Sequence, residues 1–356
     1  MRYVKLEEIC FKGVSSLRQK DTLPVGDYPV YGASGICGYL SGYQHNEPYV
    51  AVVKDGAGVG RVQLCSGKSS VLGTLQALLP KDEVSCEYLY EVVRSLELGA
   101  GFTGSTIPHI YFKDYKNRTV VIYEKEQQTK ITTLFTTLKN VVELHKCAIS
   151  FYDELVKSRF VEMFGSFEKR TLVGDLCNCI VPGRDKPKSF SGETPWITTD
   201  DLIDGGITYF SKSGLGLSDE EIEQVHARII PKDSVLMTCV GRLGICSIAG
   251  CDLVANQQLH SFLCDLDSIN NTFLMYQLKT SKKYMLENAK SVTVQYMNKK
   301  TCNSIPIACP PLSLQQEFAD FVHQVDKLKF ETQQSIEKLQ MLYDSLAQEY
   351  FAPEGD

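Results

Sequence analysis

Two arginines lie in glycine-rich turns between apolar segments, where a guanidinium group can reach into a groove of a partner. Arg61 ends the stretch "KDGAGVGR" at 54–61, and Arg242 lies in "VGRLG" at 240–244. Small neighbours let the backbone approach closely, and the forked donors of arginine match the edge of a guanine. A surface arginine that closes a hairpin would leave the same pattern. The turns therefore predict either base recognition or an ordinary hairpin.

Further side chains near these turns carry donors suited to phosphates or base edges. Asn256 and Gln257 could pair with adenine, or they could simply end a polar strand. His109 and Tyr296 could contact DNA or pack against a long helix, and the cations of "PGRDKPKSF" could bind phosphates or belong to a solvated loop. The candidate DNA-binding residues are Lys54, Arg61, Thr106, His109, Tyr111, Arg184, Lys186, Lys188, Arg242, Asn256, Gln257, Thr293, Gln295, Tyr296 and Lys299.

The elements that must position these side chains occur twice along the chain. "YVKLEEIC" at 3–10 is similar to "RTLVGDLC" at 170–177, and "GSTIPHI" at 104–110 is similar to "SVTVQYM" at 291–297. Thr106 and Thr293 are 187 residues apart, while Gln127 and Gln315 are 188 apart. Several features in the same order at nearly one period indicate two copies of one unit.

Each copy ends in a long amphipathic segment without internal proline or glycine. Apolar residues recur at three-four spacing in 124–163 and in 313–350, which predicts two long helices with a coiled-coil seam. The second helix follows "SIPIACPP", and Ser313 with Gln316 is predicted to form its capping box. The first helix starts at "YEKEQQ", which has no matching prolines.

The remainder of each copy mixes short strands with helices near 85–98 and 270–288, without a regular strand–helix alternation. This pattern favours an α+β fold over a doubly wound sheet. We predict globular domains at 1–123 and 167–311, and helical segments at 124–166 and 312–356.

The chain of 356 residues has a net charge of −6, which argues against a strongly basic nucleic-acid binder. Residues 312–356 contain 3 Lys or Arg against 9 Asp or Glu, so the whole acidic excess lies in the last segment. The rest is near neutral, and a local basic groove is permitted.

Metal, disulfide and membrane roles find little support in the sequence. The 13 cysteines include no C-x-x-C pair, and no two histidines share helical spacing, so reduced thiols and no metal are expected. No apolar stretch approaches about 20 residues, and the N-terminus lacks the apolar core of a signal peptide. We expect a cytoplasmic chain with no membrane partner.

The order of these features resembles the specificity subunit of Type I restriction-modification systems over the whole chain. The resemblance rests on two globular units, each closing with "GSTIPHI" or "SVTVQYM", a strand, and then "EKEQQTKI" or "PPLSLQQEF" opening a long helix. It implies two target recognition domains that each read half of a bipartite DNA site. It also implies that the two helices form an antiparallel coiled coil that sets the distance between these domains.

The resemblance also implies partners and the absence of catalysis in this chain. The partners would be double-stranded DNA, two modification subunits that methylate adenine with S-adenosylmethionine, and restriction subunits. No cofactor is expected in this chain itself.

Two other functions stay open at this stage. A stand-alone DNA adenine methyltransferase would need an Asn/Asp-Pro-Pro-Tyr/Phe loop, whereas Pro310-Pro311 is flanked by Cys309 and Leu312. A coiled-coil assembly protein with no DNA role would need only the two helices.

Overall fold

A computed structural model describes residues 1–101, 108–183, 185–290 and 294–352. Two long helices dominate the secondary structure: the first long helix is Lys125–Phe164 and the second long helix is Leu312–Phe351. The chain divides into two compact units. The first unit is Met1–Cys147 with Thr332–Asp356, and the second unit is Ala148–Glu331. Each unit therefore contains part of both long helices.

The first unit combines three small sheets with shorter helices. Its strands are Arg2–Lys5, Cys10–Lys12, Tyr28–Gly32, Gly35–Leu40, Tyr49–Val53, Val62–Cys65, Ser70–Val71, Leu75–Pro80 and Thr119–Ile122. Its shorter helices are Leu6–Ile9, Cys86–Ser95 and Phe112–Tyr115, with 3₁₀ turns at Gln19–Asp21 and Leu98–Gly101.

The main sheet of the first unit has four strands. They lie in the order Cys10–Lys12, Leu75–Pro80, Tyr49–Val53, Val62–Cys65. Every residue of the "YVAVV" strand is buried, which explains its continuous apolar run. A separate antiparallel pair joins Arg2–Lys5 to Thr119–Ile122, so the strand before the first long helix is fixed to the start of the chain.

The second unit is also α+β. Its strands are Arg170–Leu172, Cys177–Ile180, Thr194–Ile197, Ile207–Thr208, Gly216–Leu217, Ile229–Ile230, Val235–Thr238, Cys246–Ala249, Leu253–Ala255, Leu259–Cys264 and Pro306–Ala308. Its shorter helices are Val173–Leu176, Asp219–Gln224, Asn271–Thr280, Lys282–Asn288 and Lys299–Asn303.

The main sheet of the second unit has five strands. They lie in the order Cys177–Ile180, Leu259–Cys264, Val235–Thr238, Cys246–Ala249, Ile207–Thr208. The strand before the second long helix, Pro306–Ala308, pairs antiparallel with Arg170–Leu172. The mixed content of both units confirms the predicted α+β class.

A buried glutamine joins each long helix to the globular part of its unit. Gln128 donates from Nε2 to the Tyr123 and Glu83 carbonyls at 2.9 Å each, and its Oε1 accepts from the Ser85 amide at 3.2 Å. Ser85 is the N-cap of helix Cys86–Ser95. One side chain thus ties the start of the first long helix to the start of a body helix.

Gln315 makes the same set of bonds in the second unit. Its Nε2 donates to the Pro310 carbonyl at 2.9 Å and to the Ser268 carbonyl at 3.4 Å, while Oε1 accepts from the Asn270 amide at 2.9 Å. Asn270 is the N-cap of helix Asn271–Thr280. Gln128, and not Gln127, therefore makes the bonds that Gln315 makes, and these two glutamines are 187 residues apart.

The start of the second long helix differs from the predicted capping box. The helix begins at Leu312, and the Leu314 and Gln315 amides donate to the Pro311 carbonyl at 3.0 and 3.2 Å. Ser313 therefore lies inside the first turn, and Gln316 bonds to Asn270 and Asp320. Proline at the entry leaves one fewer amide to satisfy there, which removes the need for a side-chain cap.

Within each unit the two long helices contact each other. Aromatic rings meet in both units, and ion pairs join the helices in the second unit. In the first unit, the Phe135 ring lies 4.7 Å from Tyr343 and 5.6 Å from Phe351. In the second unit, Arg159 Nη2 lies 3.0 Å from Glu317 Oε1, and Lys329 Nζ lies 2.6 Å from Asp153 Oδ1. The Phe160 ring also packs 5.2 Å from Phe318.

Glu91 of helix Cys86–Ser95 binds side chains of both long helices within the first unit. This carboxylate is 5% exposed, accepts a bond from Lys139 Nζ at 2.7 Å and accepts the hydroxyl of Tyr343. The Arg94 guanidinium covers the Tyr343 ring at 4.0 Å. Burial, and then the bond to Glu91, raise the pKa of Tyr343. The hydroxyl therefore stays a donor to the buried carboxylate.

Candidate nucleic-acid interface

An open groove with several lysines lies on the first unit. It encloses about 590 Å³ and is lined by Lys12, Lys54, Gln76, Tyr111, Phe112, Lys113 and Lys116. We call this surface the lysine groove. Its side chains come from a strand end, a loop, an inner strand and a short helix, which are far apart in sequence.

Two strands of the main sheet and the loop after a third strand place three of these side chains. Lys12 ends its strand and lies opposite Leu78 in the ladder. Lys54 follows the "YVAVV" strand, and its backbone is bonded to Thr74 at 3.0 Å and to Ile110 at 2.9 Å. Gln76 donates to the Gly13 and Ala77 carbonyls at 3.1 and 2.8 Å. The backbone bonds and the Gln76 amide bonds hold this side of the groove in a fixed geometry.

Helix Phe112–Tyr115 and the residues beside it form the other side. The Asp114 carboxylate accepts from the Tyr111 amide at 2.8 Å, which caps the helix start. Tyr115 is buried and packs edge-on against Phe112 at 5.5 Å, so the helix is anchored to the core. Lys113 is exposed and its ammonium lies 5.6 Å from the Tyr111 ring centre.

The groove is electropositive. Its described lining holds four lysines and no carboxylate, and one of these lysines, Lys116, pairs with Glu7 at 2.7 Å. The Lys116 bond lowers the pKa of Glu7, so this acid stays ionised and neutralises one of the four charges. Cations that converge in a concave surface attract phosphates and position a duplex without reading its sequence.

The second unit contains a buried cluster of thiols around His260. Cys179 Sγ lies 3.5 Å from His260 Nδ1, and Cys239 Sγ donates to the Gln258 carbonyl at 3.2 Å. Burial lowers the pKa of His260 to about 4 and raises the pKa of Cys179 to about 11, so both stay neutral near pH 7. Among the residues that the structure describes, no group of His, Cys, Asp or Glu is arranged to hold a metal ion.

Three predicted site residues of the first unit meet at the lysine groove. Lys54 and Tyr111 line it, and the His109 ring packs 5.3 Å from the Tyr111 ring. His109 also forms a backbone bridge with Asp55. Arg61 is exposed but does not line the groove, because its Nη1 donates to the Ala33 carbonyl at 3.1 Å.

In the second unit, the turn of Arg242 adjoins two other predicted residues. The Gly241 amide donates to the Gln295 carbonyl at 2.9 Å, and Val240 forms a backbone bridge with Tyr296. The Arg242 side chain is 75% exposed and pairs with Asp200 at 3.3 Å. The guanidinium is therefore available to a ligand after breaking one solvent-exposed ion pair.

The remaining predicted residues of the second unit are more scattered. The Asn256 side chain bonds to Gln258 through both its amide nitrogen and its oxygen, at 3.1 Å each, so it shapes a turn. Gln257 is exposed, and its carbonyl accepts from Cys239 Sγ at 3.8 Å. Lys299 begins helix Lys299–Asn303, and its charge lowers the pKa of His260 further.

Five other predicted residues belong to loops or lie outside the described residues. Lys186 and Lys188 are exposed in the segment that begins at residue 185. Thr106, Arg184 and Thr293 fall outside the residues that the structure describes.

Five groove residues were not singled out from the sequence: Lys12, Gln76, Phe112, Lys113 and Lys116. The sequence contained a signal for two of these residues, Lys113 and Lys116. "YFKDYK" places Lys113 and Lys116 three residues apart after Tyr111, which puts them on one side of a helical turn. The described part of the chain also has no helix long and apolar enough to cross a membrane.

Comparison with known proteins identifies the family of this chain. The model of the Type I restriction modification DNA specificity domain matches residues 1–150 and again 167–341. A stretch of 158 residues, 44% of this chain, is 24% identical to the specificity subunit of the Type I restriction enzyme MjaIX of Methanocaldococcus jannaschii. That match spans only 36% of the relative's length.

Two solved structures have the same fold along nearly their full length. The S subunit of a Type I restriction-modification system from M. genitalium superposes with a TM-score of 0.59 at 15% identity, covering 99% of this chain and 96% of that one. A chain from a study of assembly and conformational transition of the Type I restriction-modification system gives a TM-score of 0.65 at 16% identity, covering 98% and 97%. At such identities these likenesses describe the fold alone. The family match covers most of both units, and the chain therefore belongs to the family of Type I restriction modification DNA specificity domains.

Proposed function

We propose that this chain is the non-catalytic DNA-recognition subunit of a Type I restriction-modification complex. The observation that carries the proposal is the family match, which covers residues 1–150 and 167–341 and so includes most of each unit. The lysine groove supplies the positive surface that the net charge of the whole chain had left in doubt.

We propose that each unit reads one half of a bipartite site in double-stranded DNA. Support comes from the same strand order in the first four strands of both main sheets and from the equivalent glutamine joints of Gln128 and Gln315. In each unit, the amide of a glycine in the glycine-rich turn donates to a distant carbonyl: Gly56 to Pro108 at 3.0 Å, and Gly241 to Gln295 at 2.9 Å. The candidate contacts remain the predicted residues. Two of them are well exposed: Tyr111, which lies beside Lys113, and Arg242, which lies in a glycine-rich turn.

The two long helices are proposed to pack as an antiparallel coiled coil that sets the spacing between the half-sites. Within the second unit, Asp153 pairs with Lys329 and Arg159 with Glu317, so the partners occur in opposite order along the two helices. Within the first unit, Phe135 contacts both Tyr343 and Phe351. The two ion pairs support opposite helix directions within the second unit.

The partners that we propose are two modification subunits, which carry S-adenosylmethionine and methylate adenine, together with restriction subunits. Exposed apolar residues on the first long helix, Phe151 and Leu155, lie four residues apart on one side of the helix and offer a docking stripe. The complex is proposed to work in the cytoplasm, where its DNA is found.

A mobility-shift and methylation assay tests this function. The chain, a Type I modification subunit, and both together are mixed with duplex DNA and labelled S-adenosylmethionine. We expect sequence-specific binding and methyl transfer only when both proteins are present. Methyl transfer by the chain alone would favour a stand-alone methyltransferase, and no shift in any mixture would favour an assembly protein without a DNA role.

A matched insertion tests the spacing role of the helices. Seven residues added after Cys147 and seven after Glu331 lengthen each helix by about 10 Å, since each helical residue adds about 1.5 Å. That length corresponds to roughly three base pairs at about 3.4 Å each. We expect the gap between the methylated half-sites to grow, and an unchanged gap would refute the spacing role.

A further inference from the structure

The two main sheets place different chemistry at matching positions of the same ladder. In the first unit, Lys12 lies opposite Leu78 and Gln76 lies opposite Val52. In the second unit, Cys179 lies opposite Phe262 and His260 lies opposite Met237. Both pairs belong to the first two strands of their sheets. Lys12 therefore matches Cys179, and Gln76 matches His260.

The loops beside these strands extend the match. Lys54 stands two residues before Gly56, whose amide bonds to Pro108, and Cys239 stands two residues before Gly241, whose amide bonds to Gln295. Counted from the two carbonyl partners, Lys113 matches Lys300 and Lys116 matches Asn303. Lys299 adds a second cation to the second unit. Of the four groove lysines, only Lys113 has a lysine counterpart.

The consequence is a difference in charge and in access. The first unit has an open groove of about 590 Å³, and its lysines are exposed or partly exposed to solvent. The second unit fills the matching place with the buried Cys179 and His260, whose Sγ and Nδ1 atoms are 3.5 Å apart. A neutral, closed cluster cannot exchange counterions for phosphates, whereas an open lysine groove can.

We propose that the lysine groove grips the phosphates of one half-site through Lys12, Lys54 and Lys113, and that it supplies more of the salt-dependent affinity for DNA than the matching surface of the second unit does. This inference rests on the proposed function. Lys116 is excluded from the grip because Glu7 already neutralises it at 2.7 Å.

The experiment measures DNA affinity of the complex with its methyltransferase subunit as a function of salt. Each phosphate contact adds about 0.9 to the slope of log affinity against log salt. The triple variant Lys12→Gln, Lys54→Gln, Lys113→Gln is expected to lower that slope by about 2 to 3 and to weaken binding about equally for all sequences. A control triple changes exposed lysines outside the groove: Lys20→Gln, Lys130→Gln and Lys338→Gln.

The second unit provides the internal comparison. The double variant Lys299→Gln, Lys300→Gln is expected to lower the slope by less than the groove triple does. Circular dichroism and thermal unfolding of each variant verify that the fold is intact. A folded groove triple with the wild-type slope, or a double variant with the larger loss, overturns the inference while the wild type still binds. If the wild-type complex binds no duplex at any salt concentration, the proposed function itself fails.

Discussion

The two units of this chain share their joints but not their candidate sites. Gln128 and Gln315 make the same three kinds of hydrogen bond: each accepts from the N-cap amide of a body helix, donates to the carbonyl two residues before that N-cap, and donates to a carbonyl just before a long helix. By contrast, the ladder position of Lys12 in the first unit holds Cys179 in the second. The attachment of the long helices is therefore kept while the groove chemistry changes.

This difference separates the residues that attach the long helices, which are alike in both units, from the groove residues, which differ between the units. A buried amide that satisfies three backbone groups tolerates no other side chain, because each unpaired buried group costs about 1–3 kcal/mol. A groove side chain with free solvent on one side can be replaced at little cost in stability. Substitutions can test this division between joint and groove residues, from the largest expected change in stability to the smallest.

Replacing the joint glutamines should give the largest loss. Gln128→Ala and Gln315→Ala each leave buried amide and carbonyl groups without partners and remove buried atoms, and we expect each to cost about 3 kcal/mol of unfolding free energy. Hydrogen exchange, read by mass spectrometry, should assign each loss to the unit that holds the glutamine.

The neighbouring glutamine provides the matched control. Gln127 is partly exposed and makes none of the bonds described for Gln128, so Gln127→Ala should change stability by less than about 0.5 kcal/mol. Equal losses from Gln127→Ala and Gln128→Ala would show that the joint does not depend on these bonds.

His260 should make the second unit sensitive to acid. Burial holds its folded pKa at about 4 against the ordinary value of 6.5, and the side chain is 4% exposed. Above pH 6.5 both the folded and unfolded states are neutral, so nothing is lost. As the pH falls from 6.5 towards 4, only the unfolded state takes up the proton, and we expect a loss of up to about 3 kcal/mol.

The residue at the matching ladder position suggests the variant. His260→Gln introduces the residue type of Gln76, and it should flatten the stability profile of the second unit between pH 7 and 4.5. His323→Gln, an exposed change on the second long helix, is the control and should leave the profile as it is. An unchanged profile in His260→Gln would mean that other groups dominate acid unfolding.

The buried network of the first unit should show coupling between Glu91 and Tyr343. Tyr343→Phe removes the hydroxyl donor but leaves Lys139 on the carboxylate, and we expect a loss of about 1–2 kcal/mol. A double-mutant cycle with Glu91→Gln measures the pairwise part. Strict additivity of the two changes would contradict a direct bond that stabilises the first unit.

The arginines of the two glycine-rich turns should matter least for stability. Arg242 pairs with Asp200 in solvent, so Arg242→Lys should cost less than about 1 kcal/mol. If Arg242 reads a guanine bidentately, the same change should reduce discrimination at one position of the motif by about 1–3 kcal/mol. Competition binding with single-base variants of the site provides the readout, and Arg61→Lys is the matched change in the first unit.

The sequence predicted the long helices well because their signal is local. An unbroken three-four apolar pattern without glycine or proline led to helices at 124–163 and 313–350, and the structure has Lys125–Phe164 and Leu312–Phe351. The Gln-Gln pair was recognised as a landmark, but Gln127 rather than Gln128 was paired with Gln315, since two adjacent glutamines do not reveal which one faces the body of the unit. The helix starts after Pro311 and not after the predicted cap Ser313, and only the backbone hydrogen bonds to the Pro311 carbonyl show this.

The lysine groove could not be predicted because its members are brought together by tertiary structure. Lys12, Lys54 and Lys113 are separated by about 40 to 60 residues along the chain. Tyr111 and Lys54 were predicted from repeat-equivalent segments, which identified part of the groove without its shape. The ladder register that aligns Lys12 with Cys179 likewise follows from strand pairing.

The most direct test of the account is the methylated motif in living cells. The chain and a Type I modification subunit are expressed together or separately in a host that lacks both, and modified adenines are mapped by single-molecule sequencing. The account predicts a two-part motif with a fixed gap that appears only when both proteins are present. A motif that the methyltransferase produces without this chain, or a single undivided motif, would contradict it.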